Sequence, residues 1–217
     1  MAHICDALEA AYRSKDLGNK VDPVEELVYI CLTRQTHEKN AVRSWRAVVE
    51  VGGPDALMRM PVRRLEHLLR PAGFARQKAR WISDSLRLIK RTMGGLTLAP
   101  AGNACDGELE AFLRTFPGVG IKSAKCIMMY SMGRSVLPVD VHVRRIAERV
   151  GLAPRGLSER RIHDALERVV PPERRHSLHV NAIWHGRTVC TVLRPRCKAC
   201  GIQRFCATGR QRSRANA

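Results

Sequence analysis

The amino-acid sequence predicts an all-α protein. Apolar residues recur at intervals of three and four residues along most of the chain, which is the spacing of one face of a helix. Few segments alternate apolar and polar residues or gather β-branched side chains, as strands do. Glycine and proline residues separate the helical segments. These observations predict about ten helices and no sheet.

The first part of the chain is predicted to contain a central, buried helix. A short amphipathic helix over residues 1–16 comes first. Asp22 and Pro23 then provide an N-cap and a first-turn proline. The run over residues 24–32 is apolar on most sides, as in a buried helix. Further helices are predicted over residues 38–51, 75–93 and 108–115. Two short helices are also predicted, one beginning at Pro54 and one at Pro61.

The helix over residues 75–93 is expected to be amphipathic, with its basic residues away from the core. The expected inward residues are Ala79, Ile82, Leu86 and Ile89. The residues expected on the other faces are Arg76, Lys78, Arg80, Arg87, Lys90 and Arg91.

A glycine turn follows, where residues 116–125 read FPGVGIKSAK. Gly118 and Gly120 permit positive φ and close approach to another surface, and a new helix starts directly after them. The backbone of Gly118, Val119 and Gly120 and the first helical turn form a candidate anion-binding site beside Lys122. The alternative is an ordinary connection between helices with a surface lysine.

The remaining helices are predicted over residues 141–150, 158–170 and 174–190, with a disordered tail over residues 208–217. Asp140 directly precedes the first of them. It is a candidate N-cap and also a candidate functional carboxylate, and one side chain can serve both purposes.

The charge of the chain predicts a polyanionic partner. There are 38 Lys and Arg residues against 20 Asp and Glu residues, a net charge of +18. Most of the excess lies in residues 59–91 and 144–204 rather than in the arginines at the C-terminal end. Nucleic acid is the first expectation and an anionic membrane surface the second.

The expected location is the cytoplasm, in association with the nucleoid. The first residues show no signal peptide, and no apolar stretch approaches the roughly 20 residues of a membrane span. We therefore expect no membrane partner. We also expect a monomer. Disulfides are rare in this compartment, so the eight cysteines require another explanation.

Four of these cysteines form a candidate metal site with the spacing Cys190-x6-Cys197-x2-Cys200-x5-Cys206. Four thiolates can hold one zinc ion or one [4Fe–4S] cluster. Only one pair is tightly spaced, and the longer gaps favour the larger cluster, although zinc stays open. The basic residues threaded through this segment, which would contact phosphates or offset the charge of the ligated cluster, are Arg187, Arg194, Arg196, Lys198 and Arg204.

Three motifs in this order resemble the endonuclease III family of DNA glycosylases, within the helix-hairpin-helix superfamily. They are FPGVGIKSA at residues 116–124, VDVHV at 139–143, and HGR at 185–187 running into the four cysteines. The resemblance covers nearly the whole chain, from about Pro23 to Cys206.

The resemblance implies two helical lobes flanking a DNA-binding cleft. One lobe is a six-helix barrel that ends in the helix-hairpin-helix, over residues 22–134. The other combines residues 1–21 with 135–217 and carries a [4Fe–4S] cluster on its cysteine loop. Lys122 matches the family's nucleophile and Asp140 its essential carboxylate.

The implied activity is that of a bifunctional DNA glycosylase/AP lyase of base excision repair. Its partner would be double-stranded DNA that contains a lesion or an abasic site. The enzyme would flip out a damaged or modified pyrimidine, break the glycosidic bond through a lysine Schiff base, and nick the strand by β-elimination.

Gln35 and Phe74 are candidate DNA-contacting residues. Gln35 matches a family glutamine that fills the gap left by the flipped base, and Phe74, in a loop, is a candidate second wedge. For both, an ordinary surface or core residue is the alternative. His142 and His185 are expected to be hydrogen-bonded structural residues rather than catalysts.

The substrate base stays open at this stage. Residues 32–36, LTRQT, depart from the SAQATD pattern of oxidised-pyrimidine enzymes. Relatives that excise adenine have Ser at the position of Lys122, and thymine-mismatch relatives have Tyr, so Lys122 favours combined glycosylase and lyase activity. The run from Gly120 to Cys126 also resembles the plant branch that excises 5-methylcytosine, so 5-methylcytosine and mismatched bases remain alternatives. The competing class is a non-catalytic DNA-binding protein with a structural or redox-sensing cluster.

Overall fold

The computed structural model describes the backbone of residues 1–215 and the side chains of residues 1–211. The all-α prediction is confirmed, since the described part of the chain contains helices and short 3₁₀ turns but no strand. The helices are α1 (Ala2–Tyr12), α2 (Pro23–Thr33), α3 (Glu38–Glu50), α4 (Gly53–Arg59), α5 (Val62–Leu68), α6 (Ala75–Met93), α7 (Asp106–Leu113), α8 (Ile121–Ser131), α9 (Val141–Val150), α10 (Glu159–Val169), α11 (Arg175–Thr188) and α12 (Ala207–Ala215).

The chain divides into two compact units. The continuous unit spans Asn19–Arg134 and contains α2 to α8. The composite unit combines Met1–Gly18 with the chain from Ser135 onwards, and it contains α1 and α9 to α12. The continuous unit therefore has seven α-helices among its described residues, because α4 and α5 are separate seven-residue helices.

Helix α2 is the central helix of the continuous unit, as the sequence predicts. Asp22 caps it, with its Oδ1 accepting hydrogen bonds from the N–H groups of Val24 and Glu25 at 2.9 Å each. All residues from Leu27 to Leu32 are buried, and α2 packs against α3, α4, α6 and α8. Within the part of the chain that the structure describes, this and every other helix lacks the length and apolar character needed to span a bilayer.

Helix α6 differs from its prediction at one position. Ala79, Ile82, Leu86 and Ile89 face the core as expected, but Lys78 is buried with them and is only 1% exposed. The expectation that Lys78 lies on an outer face is therefore wrong. Burial is tolerated because the ammonium group is hydrogen-bonded inside the unit.

Helix α7 begins two residues earlier than the predicted residue 108. Cys105 acts as its N-cap, and Glu108 accepts a hydrogen bond from the backbone N–H of Cys105 at 3.1 Å. Cysteine is an unusual cap, so the sequence did not mark this boundary. The irregular segment before α7 contains a 3₁₀ turn over Ala99–Asn103.

The composite unit is built around α11, which packs against α1 and α9. Asn181 on α11 accepts from the backbone N–H of Ser14 at 2.9 Å and donates to Glu9 at 2.6 Å. These bonds fix the end of α1, where Arg13 and Ser14 adopt positive φ. The apolar core of this unit includes Ile4, Leu8, Leu137, Val143, Ile146, Ile162, Leu166, Leu178 and Ile202.

The C-terminal segment is helical where the sequence predicts disorder. Helix α12 spans Ala207–Ala215. The backbone N–H of Arg210 donates to the carbonyl of Cys206 at 3.0 Å, and the N–H of Gly209 donates to its Sγ at 3.3 Å. The last turn of the cysteine segment thus nucleates the helix. Residues 216–217 of the predicted tail lie outside the described residues.

Candidate functional site

The glycine turn joins α7 to α8 as a helix-hairpin-helix. Gly118 has φ +80°, which favours glycine, and Gly120 is the N-cap of α8. Val119 is buried, and its backbone N–H donates to the carbonyl of Phe116 at 3.0 Å. The turn therefore uses the N–H of Val119 internally, and the anion-binding role of Gly118, Val119 and Gly120 stays a prediction.

Trp81 on α6 makes glycine necessary at position 118 for a second reason. A Cβ atom at this position would lie 2.7 Å from two ring carbons of Trp81, closer than side chains approach one another. The hairpin therefore rests directly on the indole ring.

Arg34 joins the loop after α2 to the same place. Its Nη1 donates to the carbonyl of Gly118, and its guanidinium carbon lies 4.9 Å from the centre of the Trp81 ring. Trp81 thus contacts the hairpin directly and the α2–α3 loop through Arg34.

Lys122 is the second residue of α8 and is partly exposed. Lys125 lies one turn later on α8, where its positive charge could act on Lys122. The structure instead buries Lys125 with Glu110, and Nζ and Oε2 are 3.5 Å apart. Because Glu110 offsets its charge, Lys125 adds little to the local potential.

A buried carboxyl group on α2 lies within electrostatic reach of Lys122. Glu26 is fully buried, and it accepts hydrogen bonds from Asn19 Nδ2 at 2.5 Å and from the backbone N–H of Lys20 at 2.7 Å. Burial raises the pKa of Glu26 to about 7, although these two bonds and the ammonium groups of Lys122 and Lys20 lower it. Glu26 can therefore exchange a proton near neutral pH.

Asp140, in the composite unit, caps α9. Its Oδ1 accepts from the N–H groups of His142 at 2.9 Å and Val143 at 2.8 Å. Its second oxygen is not used in this cap, and the residue is partly exposed. The geometry shows the N-cap directly, and the catalytic role stays a prediction.

The two histidines are hydrogen-bonded, as expected. Nδ1 of His142 lies 3.0 Å from Nη2 of Arg145. Nδ1 of His185 lies 2.9 Å from the hydroxyl of Tyr12, and its Nε2 lies 3.4 Å from Sγ of Cys200. Burial lowers the pKa of His185 to about 4, so its ring is neutral at physiological pH.

Gln35 and Phe74 lie on two loops that line the same open cavity of about 400 Å³. Gln35 is exposed, and Phe74 is 62% exposed. A large aromatic side chain left in water fits a wedge better than a core residue. The same cavity is also lined by Arg34, Gln77, Lys78 and Trp81.

The four C-terminal cysteines line one cavity in the composite unit, together with Ile146 and Val150 of α9 and with His185 of α11. Burial raises the pKa of the Cys200 thiol, and the nearby Cys190, Cys206 and Cys197 raise it further. The sulfurs also lie near hydrogen-bond donors, since Arg149 Nη1 is 3.2 Å from Sγ of Cys190. The raised pKa disfavours a free thiolate at Cys200, which a bound metal would stabilise, whereas the hydrogen bond from Arg149 favours a thiolate at Cys190.

The four cysteines surround one cavity, and four thiolates can hold either one zinc ion or one [4Fe–4S] cluster. Among the described residues no group of three or more His, Cys, Asp or Glu side chains is already arranged around a single metal position.

Several residues of the site were missed by sequence reasoning. Glu26 directly follows Glu25 in the first turn of α2, where acidic residues are common, so residue type alone does not indicate that it is buried. Lys78 lies four residues before the inward-facing Ile82, so helical spacing could have placed it on the buried face. The contact of Trp81 with Gly118 had no local signal, because it joins distant segments.

Comparisons with known proteins agree with this arrangement. Residues 28–172 match the model of the HhH-GPD superfamily of base excision DNA repair proteins. Endonuclease III of Treponema pallidum is 31% identical over 182 residues, which cover 83% of this chain and 81% of the relative. Endonuclease III of Thermotoga maritima is 26% identical over 196 residues, 90% of this chain and 87% of the relative.

The fold is also shared with a solved structure of a non-covalent endonuclease III–DNA complex. The TM-score is 0.84, with 24% identity, and the match covers 98% of this chain and 96% of that chain.

The buried carboxyl of Glu26 generates a prediction about stability. Its pKa in the folded chain, about 7, lies above the ordinary 4.5, so its contribution to stability is full below pH 4.5 and is lost as the pH rises through 7. The loss is on the order of 3 kcal/mol. Glu26→Gln lacks this ionisation, so urea unfolding should show wild type losing more stability than the variant between about pH 5 and about pH 8.

The matched control is Glu25→Gln, which removes the partly exposed neighbouring acid on the same helix. If wild type and Glu26→Gln lose equal stability over this range, folding does not raise the pKa of Glu26.

Proposed function

The chain belongs to the HhH-GPD superfamily of base excision DNA repair proteins, and we propose that it is a DNA glycosylase with AP lyase activity. The observation that carries the proposal is Lys122 at the start of α8, directly after the hairpin glycines. A primary amine at this position can act as a nucleophile, and a helix start disfavours its positive charge.

The proposed reaction begins when a damaged or modified pyrimidine is flipped out of the duplex. The neutral amine of Lys122 attacks C1′ of the sugar, and the bond between C1′ and the base nitrogen breaks. The base leaves with a proton from the new C1′ ammonium. The nitrogen lone pair then opens the sugar by breaking the bond between C1′ and O4′, O4′ takes up a proton, and a protonated Schiff base results. In the β-elimination that follows, C2′ loses a proton and the bond between C3′ and the phosphate oxygen breaks.

The residues around Lys122 must allow its ammonium group to lose a proton before it can attack. At its ordinary pKa of about 10.4, only about one lysine in a few thousand is neutral at pH 7. The carboxyl of Glu26, with its pKa near 7, is a stronger base than an ordinary glutamate and lies within electrostatic reach. Asp140 would stabilise positive charge that develops at the sugar.

Exposed basic residues around the four cysteines supply affinity for DNA in this proposal. The net charge is +18, and phosphate contacts account for most non-specific binding. In the composite unit the exposed cations around the cysteines are Arg187, Arg194, Arg196, Lys198 and Arg204.

The four cysteines would hold a [4Fe–4S] cluster in the cavity that they line. When bound, such a cluster supplies four metal–thiolate bonds that stabilise a short loop, and it is capable of electron transfer. The chain's own residues orient the ligands, since Arg149 also donates to the carbonyls of Thr191 at 2.7 Å and Val192 at 2.9 Å.

Covalent trapping tests the role of Lys122. Wild-type protein incubated with abasic-site duplex and borohydride should give a covalent adduct, because borohydride reduces the Schiff base. Lys122→Gln should give none, whereas Lys90→Gln, an exposed lysine on α6, should trap normally. Absence of an adduct with wild type would leave the non-catalytic DNA-binding alternative. If the wild type does form the adduct, a panel of duplexes, each with one modified base, would identify the substrate.

Two substitutions at Asp140 separate capping from catalysis. Asparagine also caps helices, so Asp140→Asn should keep the stability of the wild type and lose about a hundredfold or more in turnover. Asp140→Ala should lose activity and also about 1 kcal/mol of stability. Full activity of Asp140→Asn in single-turnover nicking would mean that the residue is a cap alone.

Metal analysis tests the cluster. Protein purified without oxygen should be brown and contain about four iron and four sulfide per chain. Cys200→Ser should lose most of the iron, and Cys105→Ser, an exposed cysteine outside the cavity, should retain it. Colourless protein with one zinc ion would contradict the assignment.

A further inference from the structure

The loops that carry Gln35 and Phe74 share an unusual backbone conformation. Both residues have φ +48°, in the left-handed region. This conformation is unfavourable for residues with a Cβ and persists where the surroundings enforce it. Contacts with the rest of the continuous unit must therefore hold both loops in this conformation.

Lys78 is the residue that touches both. Its Nζ donates to the carbonyl of Leu32 at 2.9 Å, to Oγ1 of Thr36 at 2.5 Å and to the carbonyl of Ala72 at 2.8 Å. An ammonium group has three N–H donors, and each has an acceptor here. Burial lowers the pKa of Lys78 to about 8, so the ammonium form still prevails at neutral pH.

Thr36 completes the connection between the two loops. Its Oγ1 lies 2.5 Å from the carbonyl of Ala72 and 2.9 Å from the carbonyl of Arg34. Gln35 stands between Arg34 and Thr36, and Phe74 follows Ala72 by two residues. We call Lys78, Thr36 and the carbonyls of Leu32 and Ala72 the loop network.

The loop network has the chemistry of a positioning device. Its acceptors are backbone carbonyls and the hydroxyl of Thr36, so it fixes the paths of the loops. It leaves the side chains of Gln35 and Phe74 exposed beside one cavity. Its centre is 1% exposed, where hydrogen bonds to a charged donor are strong and costly to break.

We propose that Lys78 and Thr36 are positioning residues that hold Gln35 and Phe74 as one rigid pair, ready to enter the DNA stack. This inference rests on the proposed function, in which a flipped nucleotide leaves a gap in the duplex. A pair fixed in advance loses little conformational entropy on insertion, so weakening the loop network reduces insertion rather than the chemistry at Lys122.

The experiment uses a duplex with a tetrahydrofuran abasic analogue opposite 2-aminopurine. The analogue does not react. The fluorescence of 2-aminopurine, the base opposite the analogue, rises when that base is unstacked. Thr36→Val and Lys78→Met remove parts of the loop network, Thr36→Ser preserves the hydroxyl, and Lys90→Met is the control on the exposed face of α6. Borohydride trapping on single-stranded abasic DNA reports the chemistry separately.

We expect Thr36→Val and Lys78→Met to lower the equilibrium constant for unstacking about tenfold or more, the effect of losing a hydrogen bond to a charged group. Trapping on single-stranded DNA should stay within about twofold of wild type, and Thr36→Ser and Lys90→Met should behave as wild type. If Lys78→Met does not fold, the comparison of unstacking by Thr36→Val and by Thr36→Ser tests the proposal.

Three results would overturn the proposal. The first is wild-type unstacking in folded Thr36→Val or Lys78→Met. The second is an equal loss of unstacking and of single-strand trapping, which would indicate a general structural defect. The third is no unstacking by wild type. Failure of wild type to trap abasic DNA, with unstacking intact, would contradict the lyase activity and leave the loop network supported.

Discussion

The contact between Trp81 and Gly118 is the constraint on which the candidate active site depends. A side chain at position 118 would collide with the indole ring, so the turn, and with it the first residue of α8, is placed by α6. Arg34 lies over the same ring and bonds to the same turn. One aromatic side chain thus sets the positions of the hairpin, of the loop bearing Gln35 and, through the start of α8, of Lys122.

The continuous unit also buries ionisable groups that an ordinary helical core would exclude. Each has a different means of compensation: Lys78 bonds to carbonyls, Lys125 pairs with Glu110, and burial shifts Glu26 towards its neutral form. Breaking one member of such an arrangement leaves an uncompensated buried charge, which costs more than the bond itself contributes. The groups lie around the hairpin and the two exposed loops, so stability and function draw on the same residues there.

The sequence was sufficient for features that depend on local patterns. Helical periodicity predicted α2, α3, α6 and α9 to within a few residues, and the caps at Asp22 and Asp140 followed from residue type. It was insufficient where distant segments meet. Lys78 was placed on an outer face because its acceptors come from other segments of the chain. Helix α12 was missed for a local reason, since it begins on contacts with the carbonyl and the sulfur of Cys206 that the tail alone does not reveal.

The composite unit has a consequence for the order in which the protein is made. Helix α1 precedes the continuous unit in the chain, whereas its partners Asn181 and His185 on α11 follow it. During synthesis the seven helices of the continuous unit can pack as soon as they emerge, because domains fold as units. Helix α1 must wait for more than a hundred intervening residues (Asn19–Arg134) before its binding surface exists. The cysteine loop also leaves the ribosome after the continuous unit, so loading of a cluster would follow the folding of that unit.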